Sequence, residues 1–396
     1  MAKVWLIVAW GLLILLSACQ PQVLEVEVTR LVENNPASSG PTAVATPAPV
    51  QIEVTRLITT EIVTELVQEI PVEITKAPLG TSERPVQILF SPISSAAVIM
   101  TRGQGLADAL AQATGQQFVV GVADSEAALI DLMCAAPADT IGVLSPLGMA
   151  QASAQCAAQP GSVAVHADGL SWQAGMIVTR RDSGILTLAD LAGKRGAVPD
   201  AASIPNAKAI ETMLRSASVA AAEIIELPGD NSAMLAVFNG DVDFAVGSYT
   251  PPIMPYEDRL WQYGVDSPEI WRQLGIAPER SPIGYVLVIG EPEFGGYRLR
   301  DARAGIFDIQ PEIYTQTRIV ALSPQIPNET VAFGRDFPLA LARQVVAELQ
   351  TFALSEACAT SVCASDFYDW RGLEPATDAL YAPLRDILAA GALTEE

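Results

Sequence analysis

Three observations predict an α/β fold for most of this 396-residue chain. Half of its residues are hydrophobic and 17% are charged, so the chain can bury a large core and is not disordered over most of its length. From residue 85 onward, short apolar runs alternate with longer stretches of helical periodicity. Turn residues separate the two kinds of segment, which is the pattern of a mostly parallel sheet flanked by helices.

The first predicted elements are three strands and two helices. The helices lie at 97–115, which ends at a glycine, and at 125–136, which begins with a serine cap followed by glutamate. The strands are PVQILFSP (85–92), QFVVGVA (117–123) and TIGVLSP (140–146).

The alternation continues with changes farther along the chain. Residues 318–338 lead into an amphipathic helix, the chain ends in another helix, and residues 252–300 do not follow the pattern. The other elements that we expect are a strand within 171–185, a short helix and strand within 187–200, a helix at 207–217, a strand at 221–229, and a helix, tight turn and strand within 231–249.

The composition excludes several function classes. The formal net charge is −22 and no cluster of Lys and Arg occurs, which argues against a nucleic-acid binder. Triad hydrolases and most zinc sites need imidazole, but the only histidine, His166, lies at a predicted strand end, where a structural role is more common. The chain has no phosphate-binding loop of the G-x-x-x-x-G-K-[ST] type. We therefore expect no enzyme activity, no cofactor and no metal site.

Residues 1–18 have the features of a secretory signal peptide: one lysine, an apolar run and then small residues. The tetrapeptide LSAC resembles the bacterial lipobox, in which signal peptidase cuts before a cysteine that carries lipid. The resemblance implies that Cys19 is the lipidated first residue of an exported protein, anchored to the outer face of the cell membrane. An uncleaved membrane anchor with a chance cysteine is the alternative.

Residues 19–83 have the composition of a tether. Two segments, 25–35 and 52–78, share the repeat E-V-T-R-L, and a linker rich in Pro, Ala, Ser and Thr separates them. The repeats alternate β-branched and polar residues, so they can pair as strands or stay extended. We favour a solvated spacer that holds the body away from the membrane.

Four cysteines lie within the body. An exported chain favours disulfides, and four cysteines allow three pairings. We choose the pairs closest in sequence, which are Cys134–Cys156 and Cys358–Cys363.

Five segments, in this order, carry a resemblance to a known family: TIGVLSPLGMAQA, VTRRDSGILTLADLAGKRGAV, AMLAVFNGDVDFAV, ALSPQIPNETVAFGRDFP and GLEPATDALYAPLRDIL. The chain resembles the substrate-binding proteins of ABC importers for phosphate, phosphite and phosphonate, over most of residues 85–390. The resemblance implies a type II periplasmic-binding-protein fold, with two lobes of mixed, mostly parallel sheet joined by two hinge strands. The first lobe is expected at 84–178 plus 321–396 and the second at 179–320.

The resemblance also implies a function. A small oxyanion would be held between the lobes, which close by a hinge motion, and the closed monomer would dock on an ABC permease in the membrane. A ligand sensor that docks on a membrane receptor is an alternative, and so is a binder of another small polar metabolite. An enzyme would need a catalytic constellation, and one histidine with scattered acids supplies none.

Ligands of open α/β sheets lie beyond the carboxyl ends of the strands, where this sequence places several polar residues. A tryptophan at 172 stands where the family tends to have tyrosine. The predicted ligand-binding residues are Ser94, Ser95, Ser145, Trp172, Ser203, Asn206, Ser248 and Tyr249.

The stretch DAASIPN (200–206) aligns with the oxyanion cradle of the family, which usually reads D-P-x-S-T-S-G. There, hydroxyls and free N–H groups at a helix N-terminus hold the phosphoryl oxygens. The aspartate and the first hydroxyl (Ser203) are kept, whereas Ile204 and Pro205 replace two further hydroxyls, and Pro205 also lacks an N–H. Asp230, in a position where the family often has a His-Asp pair, is interpreted as a helix cap or as a partner for an amine. The ligand can therefore differ from phosphonate.

Overall fold

The computed structural model of the protein describes residues 76–391. The signal segment, Cys19 and all but the last residues of the tether lie outside the described residues and stay predictions.

The α-helices are α1 (Ala96–Thr114), α2 (Glu126–Ala135), α3 (Pro146–Cys156), α4 (Ala209–Ser216), α5 (Gly229–Asn239), α6 (Ile313–Gln316), α7 (Leu339–Ala353) and α8 (Ala382–Ala389). The strands are β1 (Val86–Phe90), β2 (Phe118–Val122), β3 (Thr140–Leu144), β4 (Gln159–Val165), β5 (Trp172–Arg180), β6 (Arg195–Val198), β7 (Glu223–Glu226), β8 (Phe244–Tyr249), β9 (Glu279–Arg280), β10 (Val286–Ile289), β11 (Gly296–Leu299), β12 (Thr317–Leu322), β13 (Ile326–Pro327), β14 (Thr330–Phe333) and β15 (Gly372–Pro375).

The first sheet has the strand order β15-β4-β14-β3-β1-β2. Its central strands β1, β3 and β14 are almost entirely buried, as expected for a sheet between two helix layers. Helices α1 and α7 pack on one face through residues such as Leu106 and Leu349. Helices α2, α3 and α8 pack on the other face, where Leu129, Met149 and Leu384 are fully buried. This is the three-layer arrangement that the alternation of strands and helices predicts.

The second sheet has the order β12-β5-β8-β6-β7, and β13 pairs with β5 beside it. One face carries α4 and its neighbours, with Ile210 and Leu214 in the core. The other face carries α5 and much of the segment 252–300. Two such sheets, each with helices on both faces, confirm the predicted α/β class.

Both sheets are mixed, but they are less parallel than predicted. In the first sheet only the β1–β2 and β1–β3 pairs are parallel, and in the second only β6–β7 and β6–β8 are. The remaining pairs are antiparallel. Strands such as β5 and β14 follow the preceding strand through a loop rather than through a helical crossover.

The segment 252–300, which the sequence pattern left unassigned, forms a small antiparallel sheet of order β11-β10-β9. Its apolar side chains, including Trp261, Trp271 and Val286, join the core of the second sheet. The strands are only two to four residues long, so no alternation extends far enough to be recognised in the sequence.

The chain passes between the two sheets twice, at 166–171 and at 323–329. Asn328 ties these two crossings together: its amide donates to the carbonyls of Ala164 (3.0 Å) and Leu170 (2.9 Å). At the start of β5, the Ser323 hydroxyl accepts from Gly175 N–H at 2.8 Å. Strand β5 pairs along its whole length with strands of the second sheet, whereas the sequence analysis ended the first lobe at residue 178; the lobe limits stay a prediction.

Both chosen disulfides are present. Cys134–Cys156 links α2 to the end of α3, and Cys358–Cys363 closes a short loop after α7. Cys358 and Cys363 are buried in the core of the first sheet, so they pack as well as crosslink.

His166 has a structural partner at the crossings. Its Nε2 lies 2.8 Å from the Glu329 carboxylate, so the pair joins the first crossing to the second. The hydrogen bond with Glu329 raises the pKa of His166 against the opposing effect of burial, and the charges of Glu329, Asp168 and Asp369 act in the same direction as the hydrogen bond.

We expect this pair to make stability depend on pH. A raised histidine pKa means that the pair stabilises the fold fully below the unfolded value of about 6.5, and that the contribution is lost as pH rises through the folded pKa. The difference in free energy of unfolding between the wild type and His166→Gln, from urea denaturation, should therefore shrink from pH 5.5 to pH 9. A difference that is equal at both pH values would contradict the assignment.

Candidate functional site

The stretch DAASIPN begins a helix, but the helix starts earlier than the sequence suggested. A π-helical turn, Ile204–Lys208, precedes α4 and leads into it without a break. The N–H groups of Ala207 (2.9 Å) and Lys208 (3.0 Å) both donate to the Ser203 carbonyl. The Ser203 hydroxyl makes no capping hydrogen bond and is half-buried. It is thus available at a helix start, as the alignment with the oxyanion cradle requires.

Asn206 and Ser248 are brought together by the second sheet. Asn206 lies in the π-helical turn after β6, Ser248 lies near the end of β8, and β6 and β8 are parallel neighbours. The Asn206 amide nitrogen is 3.1 Å from the Ser248 hydroxyl. Asn206 is only 8% exposed, and its amide oxygen has no hydrogen-bond partner in the described part of the chain.

The unpartnered amide matters because burying a polar atom without a hydrogen bond costs about 1–3 kcal/mol. The two ends of an asparagine amide are assigned from their neighbours, and the amide can be turned by half a rotation. Turned, its oxygen accepts from the Ser248 hydroxyl, and its nitrogen becomes a free donor. One orientation suits a ligand with an N–H or O–H group, and the other suits an oxyanion.

Asp230 does not cap its helix. It lies in the first turn of α5, whose N-cap position is Pro228, and its carboxylate accepts the Ser248 N–H at 3.2 Å. A negative charge therefore stands beside the Asn206–Ser248 pair. The charge disfavours an oxyanion and favours a cationic group at this place.

Glycine at 175 permits the close approach of β5 to the helix start. A Cβ atom at this position would lie 2.6 Å from the Pro205 carbonyl oxygen and 3.0 Å from Asn206 Cα. Both are backbone atoms, so they cannot move aside as a flexible side chain would. The position of Asn206 therefore depends on the absence of a side chain in β5.

Ser145, at the carboxyl end of β3, is the N-cap of α3 and accepts the Gly148 N–H at 3.0 Å. Its N–H and its hydroxyl both donate to the Glu126 carboxylate, each at 2.6 Å. The Ser91 hydroxyl, after β1, donates to the same carboxylate at 3.4 Å. A glutamate of the protein thus occupies the helix end at which the sequence analysis expected a ligand.

Two other predicted residues of the first sheet are less engaged. Ser94 and Ser95 are exposed in the loop after β1. Ser95 is the N-cap of α1 and accepts the Val98 N–H at 3.4 Å. Their hydroxyls lie at the expected end of the sheet, but nothing brings them to the Asn206–Ser248 pair.

Trp172 and Tyr249 belong to an aromatic cluster with residues that the sequence analysis did not single out. The Trp261 ring is 6.4 Å from Trp172 and 5.4 Å from Tyr249, between ring centroids. Tyr249 is 3% exposed and donates to the Pro268 carbonyl, and burial raises the pKa of its phenol. Trp172 is half-buried and lines a cavity of about 390 Å³ with Trp261 and Arg300.

Ile204, which stands where the family usually has a hydroxyl residue, packs against the first sheet. Its side chain contacts the apolar cluster of the first sheet that contains Met149 and Ile326. At this position, an apolar side chain next to the second sheet contacts the core of the first sheet, whereas the family cradle has a polar group there.

Glu126 was missed by the sequence analysis because it reads as the ordinary acid after a serine cap. Its reach to Ser145 depends on β2 and β3 flanking β1, which places the starts of α2 and α3 at one edge of the sheet.

Among residues 76–391, no group of His, Cys, Asp and Glu is arranged to hold a metal ion.

The sequence model of one protein family, ABC transporter, phosphonate, periplasmic substrate-binding protein, matches residues 88–381. A binding protein component of an ABC phosphonate transporter from Pseudomonas aeruginosa is 14% identical, with a TM-score of 0.37, over 78% of this chain and 85% of that chain. PhnD1 from Prochlorococcus marinus in complex with methylphosphonate is 10% identical, with a TM-score of 0.35, over 78% of this chain and 98% of that chain. No curated protein matches the sequence.

Gly175→Ala should displace the helix start at Pro205–Asn206 and lower the melting temperature by several degrees, because the added methyl group meets backbone atoms. Gly372→Ala is the matched control, since that strand glycine has no atom closer than 3.6 Å to an added Cβ. Thermal denaturation of both variants measures the difference. Equal melting temperatures for the two variants would show that the approach of β5 to the helix start is not a constraint.

Proposed function

Because the chain belongs to the family of periplasmic substrate-binding proteins of phosphonate ABC transporters, we propose that it captures a small oxyanion of the phosphonate, phosphite or phosphate type. The solute binds in the cleft between the two sheets. A permease in the membrane then receives it from the closed form of the protein.

The observation that carries the proposal is the Asn206 amide. It is buried, one of its polar atoms lacks a partner within the described residues, and it contacts the Ser248 hydroxyl near the end of β8, with Ser203 three residues earlier at the same helix start. With its nitrogen free, the amide joins the Ser203 hydroxyl as a donor to an oxyanion at the helix start. The helix end adds about half a positive charge.

The two carboxylates favour a second candidate, a small polar solute that carries a cationic group. Glu126 fills the helix end at Ser145, and Asp230 lies beside Ser248. Neither charge suits a doubly charged anion, whereas both suit an ammonium group on the solute.

The setting of the protein is part of the proposal. A lipid on Cys19 and a solvated tether would hold a monomeric body at the outer face of the cell membrane, within reach of the permease. Within residues 76–391, no helix has the length and hydropathy that crossing a bilayer requires.

We expect one oxyanion to bind in the cleft of each chain. Isothermal titration with methylphosphonate, phosphite, phosphate, aminoethylphosphonate, sulfate and amino acids would identify the class. Asn206→Ala should weaken binding by roughly ten- to a hundredfold, since a hydrogen bond to a charged group contributes about 1.5–3 kcal/mol. Asn239→Ala, at the exposed end of α5, is the control. If no phosphorus oxyanion binds, but an amine-bearing solute does, the second candidate replaces the first.

Glu126→Gln should strengthen oxyanion binding by roughly three- to tenfold. The substitution removes a like charge from the first-sheet side of the cleft, which is worth on the order of 1 kcal/mol near a protein surface, and keeps an acceptor for the Ser145 N–H. Asp124→Asn removes a neighbouring exposed charge that makes no such contact. Equal affinities for the two variants would mean that Glu126 acts only through net charge.

A further inference from the structure

A group of four arginines lies at the end of the second sheet that points away from the cleft. Arg181 directly follows β5, and Arg318 is the second residue of β12, which pairs with that end of β5. Arg272 lies in the short helix Ile270–Leu274 of the small sheet's segment, and Arg303 follows β11. We call these four side chains the arginine cluster.

Two carboxylates face the arginine cluster. Glu269 accepts from Arg303 at 2.7 Å and from Arg272 at 2.9 Å, and it lies 3.4 Å from Arg181. Asp301 binds Arg303 through two hydrogen bonds of 2.9 and 3.0 Å. Burial acts to raise the pKa of Glu269, but the charge of Arg303 and the hydrogen bond from Arg272 outweigh it and hold the pKa below its usual value.

The charges of the arginine cluster do not balance. Arg181, Arg272, Arg303 and Arg318 carry four positive charges against the two negative charges of Glu269 and Asp301. Arg318 forms no salt bridge with any residue in the described range, and its hydrogen bond is with the Arg181 carbonyl. The surplus of two positive charges stands out because the whole chain carries a formal charge of −22.

The donors of the arginine cluster are also not all used. The Nε atoms of Arg181, Arg272 and Arg318 are buried and have no acceptor among residues 76–391. The side chains of Arg181 and Arg272 are 34% and 26% exposed, whereas that of Arg303 is fully buried. The buried Arg303 thus neutralises most of the carboxylate charge. The other three arginines each keep a buried Nε donor without an acceptor in the described part of the chain, and the side chains of Arg181 and Arg272 reach solvent.

A guanidinium group cannot relieve this imbalance by losing its proton. Burial lowers the pKa of Arg181, and the neighbouring charge of Arg272 lowers it further, against the opposing charge of Glu269. Guanidinium groups bind tetrahedral oxyanions through paired hydrogen bonds. An anion with several oxygens would supply both the missing charge and the missing acceptors.

We propose that Arg181, Arg272 and Arg318 form a second binding site, for a phosphate-class oxyanion, on the far end of the second sheet. Gly175, the residue of β5 that lies against Asn206, and Arg181 are six positions apart along the chain, which at roughly 3.3 Å per residue is about 20 Å. The oxyanion is either a free inorganic ion or the headgroup of an anionic phospholipid, since both present the same phosphate chemistry.

The test uses inorganic phosphate and the Asn206→Ala protein, in which cleft binding should be weaker by roughly ten- to a hundredfold. At constant ionic strength with chloride, phosphate should raise the melting temperature of this protein. Adding Arg318→Gln should abolish the rise. Adding Arg335→Gln instead, which removes an exposed arginine paired only with its neighbour Asp336, should leave the rise intact.

Arg318→Gln has a second readout that a purely structural arginine would not give. Without phosphate, removing a charge that lies beside Arg181 and forms no salt bridge within the described residues should raise the melting temperature rather than lower it, and Arg335→Gln should not. A phosphate-induced rise that survives Arg318→Gln, or the absence of any rise in Asn206→Ala, would overturn the site. Failure of the cleft proposal is seen separately, because the wild type and Asn206→Ala would then respond to phosphate equally.

Co-sedimentation with lipid vesicles distinguishes a phospholipid headgroup from a free inorganic ion as the bound oxyanion. Binding to vesicles of phosphatidylcholine with phosphatidylglycerol, but not to phosphatidylcholine alone, and its loss in Arg318→Gln would identify a headgroup. A phosphate-dependent rise in melting temperature without vesicle binding would identify the free ion. If neither response is sensitive to Arg318→Gln, the arginine cluster is no oxyanion site.

Discussion

The approach of the Pro205–Asn206 backbone to Gly175 is the contact on which the arrangement of the cleft depends. Strand β5 enters the second sheet directly from a chain crossing, and the Ser323 hydroxyl holds the Gly175 N–H at that point. The helix start therefore takes its position from a strand that is itself fixed to both crossings. Asn206 lies close to Ser248 because residue 175 has no side chain that would push the Pro205–Asn206 backbone away.

The two sides of the proposed cleft differ in charge and in hydrogen-bond donors. On the second-sheet side, a helix start and two hydroxyls supply donors, with one carboxylate, Asp230, behind them. On the first-sheet side, the Ser145 hydroxyl and N–H both donate to Glu126, so neither donor is free for a ligand. A carboxylate held by a helix N-terminus is a stable arrangement, so an anion in the proposed site would meet donors on one side and a satisfied negative charge on the other.

The sequence predicted the class of fold and the position of most elements, because strands buried on both faces and capped helices have local signals. Gly115, for example, ends α1 in the left-handed conformation that the glycine allows. The sequence did not predict the small sheet at 279–299, the early π-helical start at Ile204, or the hydrogen bond from Ser145 to Glu126. Each of these depends on contacts between segments that are distant in sequence. Trp172 was identified, but its partner Trp261 was not.

Charge balance connects the cleft with the arginine cluster. Carboxylates outnumber cationic side chains in the chain as a whole, 45 to 23, so an unpaired arginine such as Arg318 could be matched by an acid within the fold. Glu269 instead serves three arginines at once, and the fully buried Arg303 has the tightest hold on it. A buried charge must be compensated first, so the outer guanidinium groups keep their donors for an anion from outside the chain.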